Sequence, residues 1–203
     1  MHLRIGQFVI VQFLFWSFTA IAHETKVRSP KAQAGDDEPM AAFKLGDVEY
    51  FHRFTDKDLH EYTPQGQENL EKWVDMVSIN YYNAAKDGEA LASFANAVLE
   101  NYKSHGAKVL TTKSVPRTEE KPAEHLIAAS FAQEGFSELV FARFRLHKGV
   151  GTSVIYSHRV YGAKAKVQAI DWLKKNSNDI EKTILKWDAM PDRPAATEKN
   201  PQK

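Results

Sequence analysis

The chain has 203 residues, 43% hydrophobic and 26% charged, which is the balance of a globular domain with one sizeable core. Its 27 basic and 26 acidic residues nearly cancel, which argues against an electrostatic affinity for nucleic acid or for anionic membranes. It contains no cysteine, which excludes disulfides, thiolate metal sites, a cysteine nucleophile and a cysteine-linked lipid.

Residues 1–22 have the three-part pattern of a secretory signal peptide. Arg4 supplies the positive start, an apolar run covers residues 8–18, and small residues lead up to a cleavage point after Ala22. The apolar run is shorter than the roughly 20 residues that a membrane-spanning helix needs. We therefore expect a mature chain without a transmembrane anchor, located in the periplasm or secreted.

Two further segments lack any hydrophobic period. Residues 23–42 are polar and include an acidic triplet, which predicts a flexible leader. Residues 189–203 are rich in proline and charge, which predicts a disordered tail. The predicted folded body is therefore residues 43–188, an ordinary size for a single domain.

The first elements of this body are predicted strands. Residues 48–54 and 59–62 flank a turn and predict a β-hairpin. Residues 73–81 alternate apolar side chains, with Asp75 as the exception. That alternation predicts a strand, although the length leaves a helix open.

Residues 87–104 predict the clearest helix, with Asp87 as its N-cap and His105-Gly106 as its stop signal. Four strand-like runs with short links follow, at residues 108–115, 125–131, 138–147 and 152–161, and short links predict antiparallel neighbours. The apolar face of the helix consists of Leu91, Phe94, Val98 and Tyr102.

Two helices are predicted to close the domain. The second is expected to begin at Asn178, because Glu181 three residues later completes a capping box. Its apolar stripe consists of Ile180, Ile184 and Trp187, and that of the first helix consists of Val167, Ile170 and Leu173. The element order predicts an α+β fold in which helices cover an antiparallel sheet, an α/β sandwich.

This order of strands, helix, meander and helices behind an export signal resembles that of PsbP-like and DcrB-like proteins. The resemblance lies in residues 73–81, in the helix at 87–104, and in ELVFARFRL running into YSHRVYG. It implies an α/β sandwich and an accessory, binding or assembly role. It implies no catalytic residue.

The densest polar cluster lies in the last predicted hairpin. A loop at residues 149–151 would place Arg143 and Arg159 on one face of the sheet, beside Ser157 and Tyr161. Two half-buried guanidinium groups need carboxylates, aromatic faces or an anionic ligand. An internal network of arginine with glutamate or aromatic rings is the favoured interpretation. The alternative is a site for a small anionic ligand formed by these four residues.

Catalytic and metal motifs are weak. Ser157 and His158 are adjacent in a strand and therefore point to opposite faces, so they cannot form a nucleophile–base pair. The histidines show no metal-binding spacing, although His52 with His60, or His23 with the amino terminus, remain open as ligands. We expect no resident metal or cofactor.

These observations favour an exported, non-catalytic binding or accessory protein of the cell envelope, which binds a protein partner or a small anion. One alternative is an envelope assembly factor that acts only through protein contacts. Another is an enzyme with an unrecognised site near Arg143 and Arg159, including Tyr161 and His158.

Overall fold

The computed structural model describes residues 40–193. The predicted signal peptide, most of the leader and most of the tail lie outside the described residues and stay predictions. The described elements are β1 (Phe43–Leu45), β2 (Val48–Asp56), β3 (Leu59–Thr63), β4 (Asp75–Tyr82), α1 (Gly88–Ser104), β5 (Lys108–Val115), β6 (Glu124–Gln133), β7 (Phe136–His147), β8 (Val150–Tyr161) and α2 (Ala165–Lys186).

The eight strands form one antiparallel sheet in the order β1-β2-β3-β4-β8-β7-β6-β5. It consists of two four-stranded meanders, which meet where β4 pairs with β8. The helix α1 connects the meanders, and α2 follows the last strand. This arrangement confirms the predicted α+β class, an antiparallel sheet covered by helices.

The two helices cover opposite faces of the sheet. Arg143 of β7 donates to a carbonyl of α2, whereas Phe131, next to Glu138 of β7, contacts Tyr102 of α1. Positions 138 and 143 differ by an odd number, so their side chains point to opposite faces. We call these the α2 face and the α1 face.

The helix α1 begins and ends as predicted. The Asp87 side chain accepts a hydrogen bond from the Ala90 backbone N–H at 2.8 Å, and Gly106 follows the helix with a φ of 78°. Phe94 is half-buried and stacks on Tyr82. The buried residues of the helix are Leu91, Ala95, Val98 and Tyr102.

The two predicted closing helices are one helix, α2, so the predicted start at Asn178 is wrong. Val167 and Ile170 are 62% and 45% exposed, so the predicted packing face is wrong at these two positions. Leu173 packs against the core as predicted, and so does the predicted stripe of Ile180, Ile184 and Trp187. A single stripe, with spacings of three, four and eight residues, runs through the whole helix, and its burial outweighs the local capping signal. The stripe consists of Ala165, Ala169, Trp172, Ile180 and Ile184.

The two ends of the domain contact each other. The ring of Phe43 lies 4.9 Å from the ring of Trp187, measured between centroids. The Trp187 Nε1–H donates to the Lys44 carbonyl oxygen at 2.7 Å. The short strand β1, which the sequence pattern did not predict, is thereby attached to the end of α2.

Candidate functional site

The turn of the β7–β8 hairpin consists of Lys148 and Gly149, whose φ angles are 50° and 76°. Two positive φ angles in a two-residue loop are typical of a type I′ turn, whose twist matches that of the strands. The predicted three-residue loop at 149–151 is therefore wrong.

This shorter loop changes the register of the hairpin. Arg143 lies opposite Val154 instead of Ser157, a shift of three positions. An odd shift moves the side chains of one strand to the other face. Arg143 therefore lies on the α2 face, while Arg159 and Tyr161 lie on the α1 face. The predicted anion site of four residues is not assembled.

Every nitrogen of the Arg143 guanidinium group donates a hydrogen bond to a group of the same chain. Its side chain is only 3% exposed, and its Nε and Nη2 donate to the two carboxylate oxygens of Glu124 at 2.7 and 2.9 Å. Its Nη1 donates to the carbonyl oxygens of Ile184 and Trp187 at 2.9 and 2.7 Å. Carbonyls at the end of a helix lack intrahelical donors, so Arg143 caps α2.

Arg159 lies between two aromatic rings on the α1 face. Its guanidinium carbon is 4.0 Å from the centre of the Trp73 ring and 4.6 Å from that of Phe136. Its Nε donates to Glu138 at 2.8 Å, and the Tyr161 hydroxyl donates to the Trp73 carbonyl at 2.7 Å. Ser157 is buried on the same face. These contacts confirm the interpretation of the arginines as an internal network.

A second polar cluster lies on the α2 face, where Asp75 of β4 is directly opposite His158 of β8. Asp75 Oδ1 accepts from His158 Nδ1 at 2.8 Å and from the Tyr156 hydroxyl at 2.7 Å. The His158 ring stacks on Trp172 at 4.0 Å, with an angle of 11° between the planes. We call these four residues the Asp75–His158 cluster.

The hydrogen bonds of the cluster set the protonation of Asp75. Burial alone raises the pKa of Asp75, but hydrogen bonds from His158 and Tyr156 outweigh it and hold that pKa below its usual value. Burial and the nearby Asp75 charge raise the pKa of the Tyr156 hydroxyl. The carboxylate is therefore ionised and the phenol neutral at neutral pH.

This cluster resembles part of a catalytic site, because a carboxylate bound to Nδ1 orients an imidazole for proton transfer through Nε2. The hydrogen bonds described for the Asp75 and His158 side chains include no serine or threonine hydroxyl. Ser157 points to the opposite face. Sequence reasoning missed the cluster, although Asp75 and His158 were each the exception in an apolar stripe.

His52 and His60, which remained open as metal ligands, are linked by the Thr55 hydroxyl. This oxygen is 2.8 Å from His52 Nε2 and 2.8 Å from His60 Nδ1. One hydroxyl proton serves one ring, so the other ring must donate. Burial, assisted by His52, lowers the pKa of His60. Within residues 40–193, no group of three or more acidic or histidine side chains is placed to hold a metal ion.

An open cleft of about 520 Å³ lies at the connection between β5 and β6. Arg117, Thr118 and Glu119 line it, and it includes neither of the predicted arginines nor the Asp75–His158 cluster. Among the described residues, no helix has the length and apolarity needed to cross a membrane.

The fold and these contacts define a class of protein: an α+β domain with one antiparallel sheet, in which Arg143 and Arg159 are paired with glutamates of the same chain. The chain belongs to a protein family whose model matches residues 46–187, well over half of its length. A search among curated proteins gives no match.

Three solved structures are similar to the chain at low identity. The Ran-binding protein Mog1p of Saccharomyces cerevisiae is 8% identical, with a TM-score of 0.43 over 67% of this chain and 82% of that one. PA94 of Pseudomonas aeruginosa, a protein of unknown function, is 12% identical, with a TM-score of 0.39 over 75% and 96%. Human STARD10 is 8% identical, with a TM-score of 0.28 over 68% and 74%. TM-scores this low carry no argument about function.

Proposed function

We propose that the chain is an exported, non-catalytic binding or accessory protein of the cell envelope. One observation carries the non-catalytic part of this proposal. Arg143 and Arg159, the two arginines of the predicted anion site, form ion pairs with Glu124 and Glu138 of the same chain. Arg143 holds the sheet to α2, and Arg159 holds β8 to Glu138 of β7 and to the Trp73 ring. Because both are engaged within the domain, we place the function at its surface.

The sequence of residues 1–22 supports the export part of the proposal. The resemblance of the element order to PsbP-like and DcrB-like proteins supports an accessory role in the envelope. The molecule that binds at this surface is a protein partner or a small anion.

Cell fractionation followed by N-terminal sequencing tests export. We expect the chain in the periplasm or the medium, beginning at His23. The variant Ala22→Arg places a large charged residue at the cleavage point and should remain uncleaved. Recovery of the unmodified chain from the cytoplasm, beginning at Met1, would contradict export.

Chemical crosslinking in envelope extract, paired with a thermal-shift series of small anions, tests the binding role. A ligand that binds only the folded state raises the melting temperature with its concentration. We expect a crosslinked protein or a saturable shift with one anion. A chain that shows neither has no binding role in the envelope.

One observation favours a second candidate function, catalysis. The Asp75–His158 cluster holds an imidazole in the orientation of a general base. If the chain is a hydrolase, Asp75→Asn and His158→Gln should each abolish turnover of a chromogenic ester or phosphate ester while leaving circular dichroism unchanged. Turnover that persists in both variants would exclude the cluster as the site.

A further inference from the structure

Residues 188–193, which follow α2, run across the α2 face of the sheet, and we call them the strap. Met190 packs against the core cluster, and the Arg193 guanidinium lies 5.0 Å from the centre of the Tyr81 ring. Five ion pairs attach the strap to the rest of the domain. Asp188 pairs with Arg145, Arg143 and Lys121. Asp192 pairs with Lys148, and Arg193 pairs with Asp58.

The residues beneath the strap form a row across neighbouring strands. Arg145 of β7 lies opposite Thr152 of β8, which lies opposite Tyr81 of β4. The Tyr81 backbone N–H donates to the carbonyl of Asp58, in the turn between β2 and β3. From Arg145 to Asp58 the row crosses three strand spacings, which is about 14 Å. The chain from Asp188 to Arg193 advances by five residues, which is enough to cover that distance. The strap is therefore long enough to cross these strands, and it forms neither helix nor strand.

The strap is held by contacts that are easily exchanged. This holds for the end of the strap, where the side chains of Asp192 and Lys148 are 93% and 72% exposed. At its start, Asp188 is 53% exposed, but its partners Arg143 and Arg145 are only 3% and 17% exposed. Exposed ion pairs contribute little to stability and weaken with salt. The backbone hydrogen bond described within the strap is local, from the Met190 N–H to the Asp188 carbonyl. The strand pairings of the sheet include no residue of the strap, so its release would break none of them.

We propose that the strap covers a docking groove for an extended segment of a partner protein, and that the partner displaces it. The groove consists of Arg145, Lys148, Tyr81 and Asp58. The strap shows which chemistry the groove accepts: a carboxylate at Arg145, an apolar side chain against the core, and a second carboxylate at Lys148. The partner segment therefore carries two acidic residues that flank an apolar one.

This inference rests on the proposed binding function and deepens it, because it names the surface and the kind of partner. Strand edges recognise peptides through backbone ladders, whereas this groove recognises them through side chains. A tethered strap competes at a high effective concentration, so the groove is closed until a better-matched segment arrives.

The test uses the full mature chain with the charges at the end of the strap reversed by Asp192→Lys and Arg193→Glu. These new charges face Lys148 and Asp58 and repel the strap from the groove. The probe is a fluorescent peptide with the native sequence of residues 188–203. We expect it to bind the reversed chain about tenfold more tightly than the unmodified chain, as measured by fluorescence anisotropy at low salt.

The matched control reverses the same kinds of charge by Asp179→Lys and Lys182→Glu, an exposed ion pair on α2. It should bind the peptide as weakly as the unmodified chain. If the unmodified chain, the strap-reversed chain and the α2 control bind the peptide equally, or if none of them binds it, the proposed docking groove is wrong. A concentration-dependent dimer of the unmodified chain that the strap-reversed chain does not form would identify a second copy as the occupant, and would overturn the assignment to a partner.

The envelope crosslinking experiment separates this inference from the proposed function. If both hold, the strap-reversed chain captures several times more of one protein, and an excess of the native-sequence peptide releases it. If that chain binds the peptide but captures nothing from the envelope and shows no shift with any anion, the groove stands and the proposed function fails.

Discussion

Arg143 of β7 and Glu124 of β6 form a bidentate ion pair, with both carboxylate oxygens within 2.9 Å of guanidinium nitrogens. The same guanidinium donates to the two carbonyls that end α2. One buried side chain thus ties the second meander to the helix that covers it. Arg143, which the sequence predicted as one residue of an anion-binding site, instead stabilises the fold.

We expect Arg143→Met to lower the free energy of unfolding by about 3–5 kcal/mol. It leaves Glu124 unpaired, removes the side-chain donor of the Ile184 carbonyl, and leaves the Trp187 carbonyl with only the longer hydrogen bond from Arg145. Urea denaturation followed by tryptophan fluorescence measures the loss. Arg117→Met, in the exposed connection between β5 and β6, is the control and should cost no more than about 0.5 kcal/mol. A loss below about 1 kcal/mol for Arg143→Met would show that the contacts of Arg143 with Glu124 and α2 contribute little to stability.

Arg159 should not tolerate lysine. Arg159→Lys keeps a positive charge near Glu138 but loses the planar contact with Trp73 and Phe136. We expect the free energy of unfolding to fall by about 1–2 kcal/mol, with a larger fall for Arg159→Gln, which also loses the charge. Full stability of the lysine variant would mean that stacking on the two rings contributes nothing.

His60 should make the domain less stable in mild acid. Burial, and secondarily His52, lower its pKa in the folded chain, whereas the unfolded chain binds a proton at the usual 6.5. Below pH 6.5 the unfolded state therefore binds more protons, so stability that is present above this pH is lost as the pH falls. His60→Gln should flatten this dependence in urea titrations across that range.

His52→Gln is the matched variant for this measurement. It removes the smaller cause of the lowered pKa and leaves the larger one, burial, in place. We expect it to retain most of the pH dependence. The same slope in the unmodified chain and in His60→Gln would remove His60 from the explanation.

The two capping predictions from the sequence differ in outcome and can be compared directly. Asp87→Ala removes the hydrogen bond to the Ala90 N–H and should cost about 1 kcal/mol. Asn178→Ala replaces an exposed residue inside α2 with the best helix former and should cost nothing. Equal thermal destabilisation by the two substitutions would indicate a helix start at Asn178 after all.

The elements of the sheet and α1 could be predicted because periodicity and caps are local signals. The register of the last hairpin could not, because it depends on whether Lys148 adopts a positive φ, which is uncommon for a lysine. The φ angle of Lys148 determines the length of the loop, and the loop length determines which face of the sheet the side chains of β8 share with those of β7. The separation of Arg143 from Arg159 follows from this turn alone.

The continuity of α2 and the Asp75–His158 cluster depend on tertiary contacts. The polar stretch around Asn178 satisfies a capping rule, but burial of the stripe on both sides of it keeps the helix intact. Asp75 and His158 each interrupted an apolar stripe in the sequence. Treating two such interruptions as candidate partners would have paired them, since each satisfies the other on the same face.

The contact between Phe43 and Trp187 places the first strand of the sheet beside the end of α2. A force applied to both ends would first pull the strap from the sheet and would then load this ring contact before it reached the interior strands. The same closeness suits circular permutation of a chain shortened to end after α2: a short linker can join its ends, and new termini can be opened in the exposed residues 116–122.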